Sequence, residues 1–421
     1  MTNERERIMD VRREHWTNGL CNRIFAIRGC LFALTLILPS SGSAHTRTVV
    51  RHPLFAYVAN QGDNTISQYR VLRSGKLTPL SPAAITAPEA ALSLTAGPGG
   101  CYLYAILGKW TVIAAYRRHL TPVARPLYAS PDKIMKYLVL PNGSLRSAGL
   151  VRTTVPHLQA LAFDPGHGTA YVLNNDSRVF QFHVRADGSF APLNPAYAGV
   201  SLHHGAISGR WSLEYRFLAI DPQHHALFTG AIGHQMEEEI GYAQVFHLGA
   251  DGAASARQIY DAPPGGGVAE ILIDPRGRFV YVSPASIFDR PVRGGPGIMQ
   301  YRIGPRDRLL PIDGAAQSAA GPGVIDPRGR FLYILYDEWN RTHIQPYLIQ
   351  KNGALKMLPS TKLDASASSA AIDPSGRWLY ATDVGGVSLF RILSTGALRM
   401  SSGTETPAGA DPVSIIFMKR S

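Results

Sequence analysis

The nine residues Asp274–Val282, DPRGRFVYV, recur as DPRGRFLYI (Asp326–Ile334) and DPSGRWLYA (Asp373–Ala381). Worn copies stand at Asp164–Val172 (DPGHGTAYV) and Asp221–Thr229 (DPQHHALFT). Asp, Pro and Gly at the first, second and fourth positions are the preferred residues of a type I turn. Proline presets the backbone dihedral, and aspartate bonds its own backbone. The apolar and aromatic residues that follow suit a pleated, half-buried surface. The five copies begin 57, 53, 52 and 47 residues apart. A strand-built repeat of roughly fifty residues implies one small sheet per repeat, arranged radially.

Four strands fit each repeat. Strand A precedes the Asp-Pro turn, as in Val268–Ile273, and strand B follows it. Strand C recurs as TISQYRV (Thr65–Val71), RVFQFHV (Arg178–Val184), YAQVFHL (Tyr242–Leu248), IMQYRI (Ile298–Ile303), HIQPYLI (His343–Ile349) and VSLFRI (Val387–Ile392). Strand D follows a glycine turn, as in GKLTPL (Gly75–Leu80) and GALKML (Gly353–Leu358). Alternation bounded by turn residues is the strand signal. The expected fold is all-β: a seven-bladed β-propeller of four-stranded antiparallel blades. The first blade enters at strand B (Leu54–Asn60), so Pro412–Phe417, PVSIIF, is expected to supply its missing strand A and close the ring. Closure removes the exposed sheet edges that invite aggregation.

Residues 1–44 read as an export leader, with Arg23 and Arg28 before the apolar run Cys30–Leu38 and small residues up to Ala44. The run is short against the roughly 20 residues a membrane span needs, so no stable transmembrane span is expected. The mature domain would be 45–421, periplasmic or secreted, and a monomer is the expected state. Of three cysteines only Cys101 lies beyond the leader. A processed chain would then have no internal disulfide, and Cys101 is expected as a small buried hydrophobe. Taking the leader's six Arg and four acids from the +12 total leaves +10. That field favours anionic partners, including envelope polymers. Nucleic acid is not expected, because no basic run is interleaved with aromatics.

Insertions are expected at Leu107–Asp132, Ala231–Gly241 and Pro284–Gly297, between strands B and C, and at Pro195–Glu214, between D and A. In a four-stranded meander B–C and D–A connections share one face. The binding surface of a repeat protein tends to lie where insertions collect. Five of fourteen histidines cluster as His203, His204, His224, His225 and His234. Imidazoles can hold a divalent metal, but His224 and His225 fall in an A–B turn on the opposite face, so no shared metal site is expected. At the channel lined by strand A, the candidate catalytic residues are Arg216, Glu270 and His157. Arg290, Arg293, Asp337 and Glu338 are the candidate ligand-binding residues. Convergent arginine and carboxylate in a concavity suit a small anionic or hydroxylated ligand. The same charges could equally hydrate a rim.

The combination of PRGRFLYI or PSGRWLYA with TISQYRV and GKLTPL over Arg51–Phe417 resembles the seven-bladed lactonase family, typified by 6-phosphogluconolactonase. The resemblance implies lactone ring opening without a redox cofactor, by a His, Arg, Glu and Arg group at the channel mouth. By blade order the family His falls at Arg216, the first Arg at Ala269, the Glu near Ala285 and the last Arg at Asp337. The family's catalytic group is therefore not reproduced. Two readings stay open, an exported lactone hydrolase with a rearranged site and a non-catalytic propeller that binds a sugar acid, an envelope polymer or a protein.

Overall fold

The computed structural model describes residues 53–109, 130–174, 178–199, 212–235, 238–261, 267–285, 297–312, 321–338, 341–363, 367–401 and 405–419. Residues 1–44, the expected leader, lie outside them. Among the described residues, twenty-nine strands form seven antiparallel sheets. Blade 1 holds β1 (Leu54–Asn60), β2 (Thr65–Val71) and β3 (Leu77–Thr86). Blade 2 holds β4 (Ala90–Ala96), β5 (Tyr102–Lys109), β6 (Ser130–Val139) and β7 (Leu145–Val151). Blade 3 holds β8 (Leu158–Asp164), β9 (Thr169–Asn174), β10 (Val179–Val184) and β11 (Phe190–Ala198). Blade 4 holds β12 (Ser212–Ile220), β13 (Ala226–Gln235), β14 (Glu238–Leu248) and β15 (Ala254–Asp261). Blade 5 holds β16 (Gly267–Ile273), β17 (Phe279–Ala285), β18 (Met299–Ile303) and β19 (Leu309–Pro311). Blade 6 holds β20 (Gly323–Ile325), β21 (Phe331–Glu338), β22 (Arg341–Ile349) and β23 (Leu355–Met357), with β24 (Thr361–Lys362) also on β22. Blade 7 holds β25 (Ala367–Ile372), β26 (Trp378–Asp383), β27 (Gly386–Ile392) and β28 (Leu398–Met400). The last strand, β29 (Pro412–Lys419), joins blade 1 beside β1, as its sequence predicts. The strands β29, β4, β8, β12, β16, β20 and β25 contact one another in succession around a closed circle, which makes them the channel wall.

The Asp-Pro turns explain the repeat. Gly277 N–H donates to Asp274 O at 2.8 Å, and Gly329 does the same to Asp326 O. The Asp274 carboxylate is fully buried; it accepts Phe279 N–H at 2.9 Å and takes Arg278 Nε and Nη2 at 3.2 and 3.0 Å. Asp326 repeats this with Phe331 and Arg330. A forked guanidinium on a buried carboxylate is the strong form of such a bond. Blade 3 lacks the arginine, and His167 Nδ1 stands 2.6 Å from Asp164 Oδ2 instead. From blade 4, His224 Nδ1 approaches Asp164 Oδ1 to 2.6 Å, within ion-pair reach but off the hydrogen-bond direction.

The tyrosine of each repeat ties one blade to the next. The hydroxyls of Tyr57, Tyr104, Tyr171, Tyr281, Tyr333 and Tyr380 donate to the carbonyls of Gly143, Gly188, Gly252, Gly353, Gly396 and Gly75 at 2.6–3.0 Å. Each acceptor sits in the C–D turn of the following blade, and Gly353 has φ +91. A Cβ there would meet the Phe279 ring at 2.4 Å, so glycine is required on both counts. Burial raises the phenol pKa of Tyr281 and Tyr333, which keeps them donors. At the blade 4–5 seam the repeat carries Phe228 instead, and His247 Nδ1 pairs with Asp307 Oδ2 at 2.7 Å across it. Tyr281→Phe leaves a buried carbonyl without its donor, so it is expected to cost about 1–2 kcal/mol in chemical denaturation. A Tyr281→Phe variant as stable as wild type would remove this bond from the forces that hold the ring.

The strand C glutamines form a second clasp. Gln68 Oε1 accepts Leu145 N–H at 2.6 Å, Gln181 Oε1 accepts Ala254 N–H at 2.5 Å, and Gln300 Oε1 accepts Leu355 N–H at 2.7 Å, each from the following blade.

Three expectations need correction. The segment 231–241 is not a loop: β13 and β14 pair through Gln235↔Glu238, because alternating residues simply extend the hairpin. The blade 2 insertion shrinks to 110–129, since β5 and β6 pair out to Lys109↔Ser130. Cys101 is half-buried and disulfide-bonded, not an isolated buried thiol; the other two cysteines, Cys21 and Cys30, lie outside the described residues.

Candidate functional site

Five inner strands, β4, β8, β12, β16 and β25, meet their neighbours through an irregular register, whereas β20 pairs with β21 without a shift. The shift falls between Ala91 and Ser93, Leu158 and Ala160, Tyr215 and Phe217, Val268 and Glu270, and Ala367 and Ser369. One residue is skipped each time: Leu92, Gln159, Arg216, Ala269 and Ser368. A bulge bends the strand and re-aims side chains, which is why bulges concentrate next to binding sites. Arg216 and Ala269, two of the four positions singled out by the family pattern, are both bulge residues. That correspondence is a matter of backbone register, invisible in the linear sequence.

Within the wall lies a cavity of about 310 Å³, lined by the inner strands of blades 2 to 5. Ser93 and Thr95 come from β4, Gln159 from β8, Phe217 from β12 and Glu270 from β16. The lining mixes apolar side chains with a few hydroxyl, amide and carboxyl groups, the usual make-up of a small-molecule site. Glu270 is its one ionisable side chain among the described residues. Its Oε2 accepts the backbone N–H of Gly323, at the start of the inner strand of blade 6, at 2.6 Å. The carboxylate makes no other hydrogen bond among the described residues. Burial raises its pKa from 4.5 to about 7, against a smaller lowering by the Gly323 N–H. Partial solvent contact through the channel remains.

The other expected site residues are placed as follows. His157 precedes β8, has φ +49, is exposed, and stands outside the cavity lining. The backbone of Arg216 lies on the channel wall in β12. Asp337 and Glu338 end β21, one strand out from the wall, where they pair with Thr342 and Arg341. Arg290 and Arg293 lie outside the described residues, in the connection from β17 to β18. Ser93, Thr95, Gln159 and Phe217 line the cavity without having been singled out from the sequence, and Gln159 shares its bulge position with Arg216 and Ala269. No group of three or more potential metal ligands occurs among the described residues. His203 and His204 lie outside them, as does the side chain of His234. The described ends of every B–C and D–A connection leave from the same face of the ring, opposite the Asp-Pro turns. Among the described residues no helix is long and apolar enough to cross a membrane.

Solved structures share this architecture. A candidate 6-phosphogluconolactonase from Bacteroides uniformis superposes with TM-score 0.65 at 16% identity, covering 87% of this chain and all of its own. A periplasmic gluconolactonase from Pseudomonas aeruginosa gives TM-score 0.64 at 17% identity, covering 88% of this chain and 99% of that one. A second candidate 6-phosphogluconolactonase, from Bacteroides fragilis, gives 0.65 at 15% identity, with 88% and 99% covered. The fold is that of the lactonase-like propellers. No family model matches the sequence, and neither does any curated protein.

Proposed function

We propose that this chain is an exported lactonase-type propeller whose axial cavity takes a lactone or the sugar acid it opens to. One observation carries the reading: a carboxyl poised near neutrality inside a small, mixed-polarity cavity. Groups tuned to the working pH cluster at functional sites, though structural contacts tune them as well. In its ionised form Glu270 would take a proton from water as the oxygen attacks the lactone carbonyl. It would return that proton to the ring oxygen as the acyl C–O bond breaks. Arg216, at the bulge of the adjoining inner strand, is the proposed stabiliser of the developing oxyanion. The reading of residues 1–44 as an export leader and the likeness in fold to a periplasmic gluconolactonase support placing this activity in the envelope or outside the cell.

The non-catalytic reading has its own support, because Glu270 is tied to Gly323 and so also serves as a strut between blades. Proton release by the purified chain against a panel of aldonolactones, alongside thermal shift with the corresponding acids, separates the two. Turnover is expected with at least one lactone. Ligand-induced stabilisation without turnover would leave a binding propeller, and neither response would sink the axial site altogether.

A further inference from the structure

A second cavity, of about 380 Å³, lies in the cleft between blades 7 and 1, the seam that β29 closes. Its wall is a row across three strands of blade 7. Arg391 on β27 stands directly opposite Trp378 on β26 and opposite Arg399 on β28. Side chains paired in this way share one face of the sheet. The C–D turn of blade 1 contributes Ser74 and Lys76 from the other side. That turn is fixed on the Trp378 ring, for a Cβ at Gly75 would fall 2.5 Å from the indole. Ser401 and the half-exposed Met400 complete the cleft.

The charge arrangement is one-sided. Three exposed cations, Lys76, Arg391 and Arg399, face the cavity, and no acid lines it. None of the three forms an ion pair among the described residues, although six ion pairs occur there. Like charges directly opposite on adjacent strands destabilise a sheet, so this pair of arginines works against the fold in the free protein. A multiply charged oxyanion between them would reverse the sign, since guanidinium forks match phosphate oxygens two at a time. The cleft is open to solvent and roomier than a single oxyanion requires. We infer that the blade 7–blade 1 cleft binds the phosphate groups of a polyanion, with Arg391 and Arg399 as the fork and Lys76 as the third charge. Because the ligand would touch both blades, its binding would also fasten the ring at its point of closure.

Calorimetric titration with tripolyphosphate at low salt tests this, with citrate as a polycarboxylate arm. One site per chain is expected, weakened at least tenfold by Arg391→Gln and by Arg399→Gln. Arg257→Gln, an exposed arginine on blade 4, should leave it unchanged. At a fixed concentration, tripolyphosphate should raise the Tm of the wild type by more than that of either variant. Without ligand, Arg391→Gln should melt at or above the wild-type temperature, because it removes the repulsion. Absence of binding, equal loss in Arg257→Gln, citrate binding as tightly as tripolyphosphate, or a lower Tm for free Arg391→Gln would each overturn the assignment.

Discussion

A chain ending at Ala410 is expected to fail to fold into a monomeric propeller. The eight residues of β29 pair with β1 from Leu54↔Lys419 to Asn60↔Pro412. They bury Ile415 and Met418 almost completely and pack Val413 and Ile416 against the core shared with blade 2. Two fully buried large side chains contribute about 3–6 kcal/mol. The whole domain is stabilised by only about 5–15 kcal/mol. Two further ties go with the segment, both to Asp411: Gln61 N–H to its backbone O at 3.0 Å and Gln61 Nε2 to its Oδ2 at 2.7 Å. What remains is worse than an unpaired strand. β1 is buried on both faces along nearly its whole length, so the truncated chain presents a long apolar edge with free backbone donors and acceptors. Circular dichroism and gel filtration should report loss of the cooperative transition and soluble aggregates. Supplying residues 411–421 as a separate peptide should restore part of the transition. A truncated chain that stays monomeric and melts within a few degrees of the full-length protein would show that the ring does not depend on this closure.

The closing strand was legible because β1 enters without a strand A and PVSIIF has the alternation of one. The Asp-Pro turns were legible too, since Asp, Pro and Gly act within four residues. Other determinants act between segments. The tyrosine of DPRGRFVY reads as one more strand aromatic until Gly353 of the next blade appears as its acceptor. Phe228, at the same place, then becomes informative, because the blade 5 turn that faces it has Arg306 and Asp307 at positive φ and no matching glycine. Bulges at Gln159, Arg216 and Ala269 depend on how two strands align, and neither strand alone encodes the shift. The charge of Glu270 was visible at once. Its depth, its bond to Gly323 and its raised pKa come from the blades around it.

Glu270→Gln is expected to cut lactone turnover by about 100-fold or more while making the protein more stable at pH 8. The isosteric amide keeps an oxygen for the Gly323 N–H but cannot carry a proton to and from the reaction. General acid–base catalysis typically supplies about 10²–10⁴-fold, so a loss of at least about 100-fold in kcat is expected. The stability effect has the opposite sign. The carboxyl titrates near 7 in the folded chain against 4.5 as its ordinary value. Between those pH values the folded state holds more protons than the unfolded one, so stability falls as pH rises through that window. The penalty is absent below about pH 4.5 and complete above about pH 7, where it amounts to at most about 3 kcal/mol. Solvent reaching the carboxyl through the channel reduces it. Gln carries no such penalty, so the gain in Tm over wild type should be large at pH 8 and vanish near pH 4.5. In the wild type, kcat/KM for a lactone should rise with pH through about 7, as the base ionises. A purely structural Glu270 would give a different pair of results: turnover unaffected by the substitution, and a stability gain without any loss of chemistry. Lost activity together with the pH-dependent gain would mean that the channel carries a carboxylate whose burial costs stability for the sake of reaction.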